Sequence, residues 1–195
     1  SLISRSDRVR ANRLRERLVS GEIPKHISII MDGNRRFAWN KSSKTAVGHA
    51  EGKEKLKEVM DWVLDLGVPY FTVYALSTEN ISERDSEELE ILYDLYVSGL
   101  DEIATDPRIH DRGVKVQVVG RLEMLPTRVR ESIENAENLT SQYSDFTFTV
   151  CLAYGGREEI VDAVKSVATD YASGSLDINS INSSEITKRM YAAEL

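Results

Sequence analysis

The 195-residue chain suits one domain and, at 41% apolar and 29% charged residues, has an ordinary globular composition. A single cysteine, Cys151, excludes an internal disulfide framework, and His26, His49 and His110 lack metal-ligand spacing, so no structural zinc site is visible. The formal net charge of −7 argues against nucleic-acid binding, and no apolar run approaches the ~20 residues of a membrane span, so a soluble, cytoplasmic protein is expected.

The charge is uneven. Residues 5–20 hold six arginines against Asp7 and Glu16, and Val9, Leu14 and Leu18 fall near one side of the stretch if it is helical. Two readings stand: a solvated terminal helix resting on its own domain, or a helix that touches an anionic membrane surface and makes the protein peripheral there. Residues 1–21 are accordingly read as a basic helical extension and 22–195 as the folded domain.

Beyond the extension, strand-length runs alternate with stretches of helical period. Runs rich in β-branched and aromatic residues at 26–31, 70–76, 114–119 and 146–152 predict four strands. Between the first two, Leu56, Val59, Met60, Val63 and Leu64 predict a helix over 48–66, stopped by Gly67. A second helix over 86–104 carries Leu89, Leu92, Tyr93, Tyr96, Leu100 and Ile103 on one stripe, with Asp85 and Glu88 at capping-box spacing. A third opens at Pro126 and carries Val129, Ile133, Ala136 and Leu139. A fourth follows Gly155-Gly156 and shows Ile160, Val164, Val167 and Tyr171, and a short fifth begins near Ser183. This alternation predicts an α/β fold: an open, mostly parallel sheet wrapped by helices in a single domain.

Ligands of open parallel sheets bind beyond the carboxyl ends of the strands. The first strand is followed by Asp32, Gly33, Asn34, Arg35, Arg36 and Phe37. Backbone N–H groups around a glycine, an amide and two guanidinium groups suit a phosphate. Asp32 would repel a bare diphosphate, so an acid here calls for Mg²⁺ between them. The competing reading is an Asx turn with solvated arginines. The second strand leads to Ser77, Thr78, Glu79 and Asn80, a polar network or only a turn; the third leads to Gly120-Arg121 and the fourth to Gly155-Gly156-Arg157. His49, at the start of the first helix, is a cap or a ligand contact.

Taken together, these loops resemble the cis-prenyltransferase (undecaprenyl diphosphate synthase) family. The resemblance rests on Ile29-Ile30-Met31-Asp32-Gly33-Asn34-Arg35-Arg36-Phe37-Ala38, on Gly48-His49, on Tyr74-Ala75-Leu76-Ser77-Thr78-Glu79-Asn80 and on Ala153-Tyr154-Gly155-Gly156-Arg157-Glu158-Glu159-Ile160. The Asn-Arg-Arg-Phe string is more similar to archaeal and eukaryotic members than to bacterial ones.

This resemblance implies a transferase that condenses isopentenyl diphosphate with an allylic prenyl diphosphate, giving a Z-configured polyprenyl diphosphate and releasing diphosphate. It implies Mg²⁺ as cofactor and a homodimer. Asp32 would hold Mg²⁺ and act as the central carboxylate, with Asn80 assisting the condensation. Gly33, Asn34, Arg35, Arg36 and His49 would hold the allylic diphosphate, Phe37 would line the site, and Ser77, Thr78 and Glu79 would shape its second part. The second helix would help wall a tunnel for the growing chain. The family's arginine three residues after Asn80 is Glu83 here, so Arg84 is taken as its equivalent; Thr45 replaces another arginine of bacterial members. The chain ends before the family's last motif, which supplies arginines and a serine for isopentenyl diphosphate, and is expected to be a piece of a longer protein. The alternative function is a non-catalytic subunit of the same fold.

Overall fold

The computed structural model describes residues 13–14, 17–18, 21–33 and 45–192, and of residues 45–47, 49 and 50 the backbone alone. Residues 13, 14, 17 and 18 are helical, Gly21 N donates to Leu18 O at 3.1 Å, and the rest of the basic extension lies outside the described residues. No helix among the described residues is long and apolar enough to cross a membrane.

Four strands form one parallel sheet: β1 (His26–Ile30), β2 (Tyr70–Tyr74), β3 (Val114–Val119) and β4 (Phe146–Cys151), in the order β1-β2-β4-β3. β4 lies between β2 and β3, pairing Val73 with Val150 on one side and Val116 with Phe148 on the other. The β3 edge is closed by side chains. Thr140 Oγ1 accepts from Val116 N at 3.0 Å, and Glu137 Oε1 accepts from Val118 N at 2.7 Å. Two edge N–H groups that could template another strand are thereby satisfied.

The predicted strands hold, each ending at most two residues earlier than expected. The helices are α1 (Thr45–Asp65), α2 (Thr78–Glu83), α3 (Ser86–Thr105), α4 (Pro107–Asp111), α5 (Thr127–Thr140), α6 (Gly156–Ala172) and α7 (Ser183–Thr187). Alternate residues of the strands, such as Phe71, Val73, Val116 and Phe148, together with Leu152 just past β4, meet α1, α3 and α5 in two apolar clusters. Phe71 and Phe148 stack with ring centroids 5.5 Å apart.

Three details depart from the expected pattern. Pro126 is the N-cap of α5, not its first residue, because its ψ of 151° is extended. Leu139 of α5 is 44% exposed. In α6 the buried face is Glu159, Ala163 and Val167, spaced i, i+4, i+8, whereas Ile160, Val164 and Tyr171 are each more than half exposed. Of the residues chosen from the sequence, Val167 lies on that face, while Ile160 and Val164 each lie one residue past it, about 100° around the helix.

Close packing fixes the rim of the sheet. Gly120 has φ 135°, and a Cβ there would sit 1.9 Å from the Leu152 carbonyl oxygen. Gly120→Ala is therefore expected to destabilise the fold by about 3 kcal/mol or more. A thermal melt checks this; an unchanged Tm would contradict it.

Candidate active site

All four strands are parallel, so their carboxyl ends share one rim. At the end of β1, Met31 N donates to Tyr74 O at 3.0 Å and Asp32 N to Ile30 O at 2.9 Å, and Gly33 turns the chain with φ 95°. The left-handed conformation at Gly33 is the one that a side chain resists. Asp32 is exposed, and both Asp32 and Gly33 line a cavity. Asn34, Arg35, Arg36 and Phe37 lie outside the described residues, as does the side chain of His49.

After β2 the chain does not form a simple loop. Ser77 caps α2, its side chain accepting from Asn80 N at 3.0 Å, and Thr78 N donates to Tyr154 O at 3.2 Å. The second and fourth strand exits are thus tied together. Glu79 and Glu83 are exposed on the short helix. Arg84, one residue past the helix, lines the same cavity as Asp32. Its Nη2 donates to Asn80 Oδ1 at 3.3 Å, and its Nη1 pairs with Glu88. The two paired side chains are only 15% and 8% exposed, and Arg84 Nε is buried without an acceptor. Glu88 is thus the buried partner of Arg84, and the Asp85 half of the capping box forms, with Glu88 N donating to Asp85 Oδ1 at 2.8 Å.

The cavity measures about 510 Å³ and lies between α1, α3 and the sheet. Leu56, Met60, Val73, Leu92, Leu100 and Phe148 supply apolar wall, and Asp32, Gly33 and Arg84 its polar part. Tyr96 also lines it; its hydroxyl donates to Ala75 O at 3.1 Å, and burial pushes its phenol above the ordinary range. A deep apolar volume with a few convergent polar groups is the usual form of a site for a small amphipathic ligand.

Arg121 serves a different purpose from the one its loop suggests. It makes two 2.8 Å bonds to Asp162 of α6, and the hydroxyl of Tyr191 bonds the same carboxylate. The guanidinium, with a smaller contribution from Tyr191, draws the Asp162 carboxyl down to about 2. Beside it Glu159 Oε2 accepts from Tyr154 Oη at 2.7 Å and Glu159 Oε1 from Tyr191 N at 2.7 Å. This network braces the fourth strand exit, where Ala153, fully buried, holds φ 49°. A non-glycine residue there is strained and persists because its surroundings over-determine it. Arg157 is exposed.

Cys151 is buried, and burial, with Glu159 adding to it, pushes its thiol up to about 12. Only a thiolate alkylates, so iodoacetamide at about pH 8 is expected to spare the folded chain and label it once unfolded. Labelling of the folded chain at the unfolded rate would contradict this burial.

Among the described residues no three or more His, Cys, Asp and Glu side chains gather to hold a metal. A single rim carboxylate fits Mg²⁺, which keeps its waters and takes further oxygens from a substrate phosphate, and does not fit a structural ion caged by protein.

With this geometry in hand, the undecaprenyl diphosphate synthase family model matches residues 30–195. The chain belongs to that family. Family members similar to it include the tritrans,polycis-undecaprenyl-diphosphate synthases (geranylgeranyl-diphosphate specific) of Methanopyrus kandleri and Pyrococcus horikoshii. The first is 47% identical over 93% of this chain and 67% of its own length, the second 44% over 92% and 68%. The chain thus spans about two thirds of these relatives. Among solved structures of cis-prenyltransferases, it superposes on lavandulyl diphosphate synthase from Lavandula x intermedia, determined with dimethylallyl diphosphate. The TM-score is 0.81 at 27% identity, covering 88% of this chain and 72% of that one. The expected fold, a cis-prenyltransferase sheet with its helices, is the one observed.

Proposed function

We propose that the chain is the part of a Mg²⁺-dependent cis-prenyltransferase that holds the allylic diphosphate and the growing product. One observation carries this reading: the apolar cavity of about 510 Å³ has Asp32, Gly33 and Arg84 in its wall. A prenyl diphosphate has the matching form, a greasy tail with a dianionic head.

In the reaction, the allylic C–O bond breaks and its electron pair leaves with diphosphate. The isopentenyl double bond attacks the allylic carbon, a new C–C bond forms, and a proton leaves to restore a double bond. Charge builds on the departing diphosphate. Arg84, whose buried Nε lacks an acceptor, supports a role in receiving that charge, and Asn80 is held beside it. Mg²⁺ held by Asp32 would neutralise the same group and polarise the bond being broken. Gly33, Asn34, Arg35, Arg36 and His49 are assigned to the diphosphate and Phe37 to the first prenyl carbons. Ser77, Thr78 and Glu79 are assigned to shaping the second wall, with Ser77 and Thr78 fixing α2 against the fourth strand exit. The apolar wall excludes water from the cation-like carbon. The active form is proposed to be a homodimer, with the basic extension resting on the domain or on an anionic membrane.

The test is incubation of the full-length protein with Mg²⁺, labelled isopentenyl diphosphate and a panel of allylic primers that includes geranylgeranyl diphosphate. Elongated Z-polyprenyl diphosphates are expected. Primer binding without elongation would replace this reading by that of a non-catalytic subunit, and absence of both would end it.

A further inference from the structure

Arg84 is the one arginine among the described residues that line the cavity, and it stands between two helices of unequal firmness. α2, before it, has six residues and none buried. α3, after it, has 20 residues and buries Leu92, Tyr93 and Leu100. The backbone of Arg84 follows α2, its N–H donating to Asn80 O at 3.1 Å, while its side chain is tied to α3.

The tie is Glu88. Asp85 caps α3 and accepts from Glu88 N, which fixes Glu88 in the first turn of a packed helix. Its side chain is buried, pairs with Nη1 of Arg84 and does not line the cavity. Asn80 Oδ1 accepts from Arg84 Nη2 at the long distance of 3.3 Å, and Nε is a buried donor without an acceptor. Arg121 shows the contrast. Its Nε and Nη2 both bond Asp162 at 2.8 Å, so that edge of the fork is closed on a carboxylate. In Arg84 the same Nε–Nη2 edge meets only Asn80, because Glu88 takes the fork from its other end. Arg189 Nε also lacks an acceptor, but that residue does not line the cavity.

Stability is a weak reason to bury this pair, because desolvation offsets the attraction between two buried charges. Orientation is a stronger one. A planar fork recognises a diphosphate only when its edge faces the oxygens, and a long side chain on a short linker has many rotamers to lose. A partner on a rigid helix selects one of them before the ligand arrives.

We infer that Glu88 is a positioning residue of the diphosphate site: from α3 it holds Nη1 of Arg84 and reserves the Nε–Nη2 edge, with Asn80 beside it, for the ligand. The inference rests on the prenyltransferase reading and adds to it a residue that does not itself line the cavity.

The test is titration calorimetry of the full-length enzyme with Mg²⁺ and a non-reactive allylic thiodiphosphate, with steady-state kinetics on the same preparations. Glu88→Gln keeps the volume and loses the charge-assisted bond. It is expected to bind the analogue about 10-fold more weakly, a typical loss when the partner that orients a ligand-binding side chain is removed. Glu88→Asp keeps the charge but withdraws it by one methylene, and it too is expected to bind more weakly. In both variants KM for the allylic primer is expected to rise while KM for isopentenyl diphosphate holds. A smaller folded fraction would instead lower kcat with both KM values unchanged. Without Arg84, the identity of residue 88 should cease to matter: Arg84→Met/Glu88→Gln and Arg84→Met/Glu88→Leu are expected to bind the analogue equally, within about twofold. Wild-type or tighter binding in Glu88→Gln or Glu88→Asp, a loss confined to kcat, or a larger difference between the two Arg84→Met variants would each overturn the inference alone. Wild-type enzyme that binds no allylic diphosphate would end the prenyltransferase reading and this inference with it.

Discussion

Asp32→Ala in the full-length enzyme is expected to lower kcat by about 10³-fold or more with saturating Mg²⁺, because one change removes the rim carboxylate and the metal it is proposed to hold. The side chain is exposed at the end of β1, on a turn fixed by backbone bonds of Met31 and Asp32, so the fold should survive. Tm is expected to stay within a few degrees of wild type. Steady-state kinetics across a Mg²⁺ series, with a melt on the same preparation, measure both effects. Near-wild-type turnover would remove Asp32 from the chemistry; a collapsed melt would mean that it serves the fold.

The second large effect is expected at Arg84. Arg84→Ala leaves Glu88, 8% exposed, without its guanidinium partner. Removing one partner of a buried ion pair costs about 3–5 kcal/mol. The same variant is expected to lose affinity for an allylic diphosphate analogue. The two losses can be separated. Arg84→Met/Glu88→Leu replaces the pair by apolar side chains of similar volume and should restore most of the stability, because such replacements are often neutral or better. It should not restore binding. Urea unfolding and calorimetric titration with a thiodiphosphate analogue distinguish the outcomes, and recovery of affinity in the double variant would contradict a diphosphate role for Arg84.

Much of this fold is legible in the sequence because its strands are two-sided and its long helices are amphipathic. Tyr70–Tyr74 and Phe146–Cys151 announce themselves by β-branched and aromatic residues, and α3 by an apolar stripe over 20 residues. Short elements escape the same reasoning. α2 has six residues and none buried, so periodicity gives no signal, and only Ser77 as a cap could have marked it. α4 has five residues, and its Asp106-Pro107 start was the available clue.

The site is legible as loops and illegible as partnerships. Asp32 and Arg84 are 52 positions apart in the sequence, and only the parallel sheet and the cap on α2 bring both into one cavity wall. Arg121 follows a glycine at a strand exit, and nothing in that loop points to the contact it makes. Its partner Asp162 lies 41 residues away on a helix, and spacing cannot reveal such a pair. Glu88 fits a capping box by spacing, and spacing cannot show that its carboxylate also meets the buried guanidinium of Arg84. The part of the buried face of α6 that apolar patterning misses has a related cause. Glu159 is buried because Tyr154 and Tyr191 satisfy it, so the inward face of that helix includes a charged residue that apolar patterning rejects.

The most direct measurement is a crystal structure of the full-length protein soaked with Mg²⁺ and a non-reactive allylic thiodiphosphate. The account predicts the diphosphate against Asp32, Gly33 and Arg84, the metal between it and the Asp32 carboxylate, and the prenyl tail between α1 and α3 pointing toward Met60 and Phe148. A diphosphate bound elsewhere on the molecule, or a tail lying outside that cavity, would contradict it.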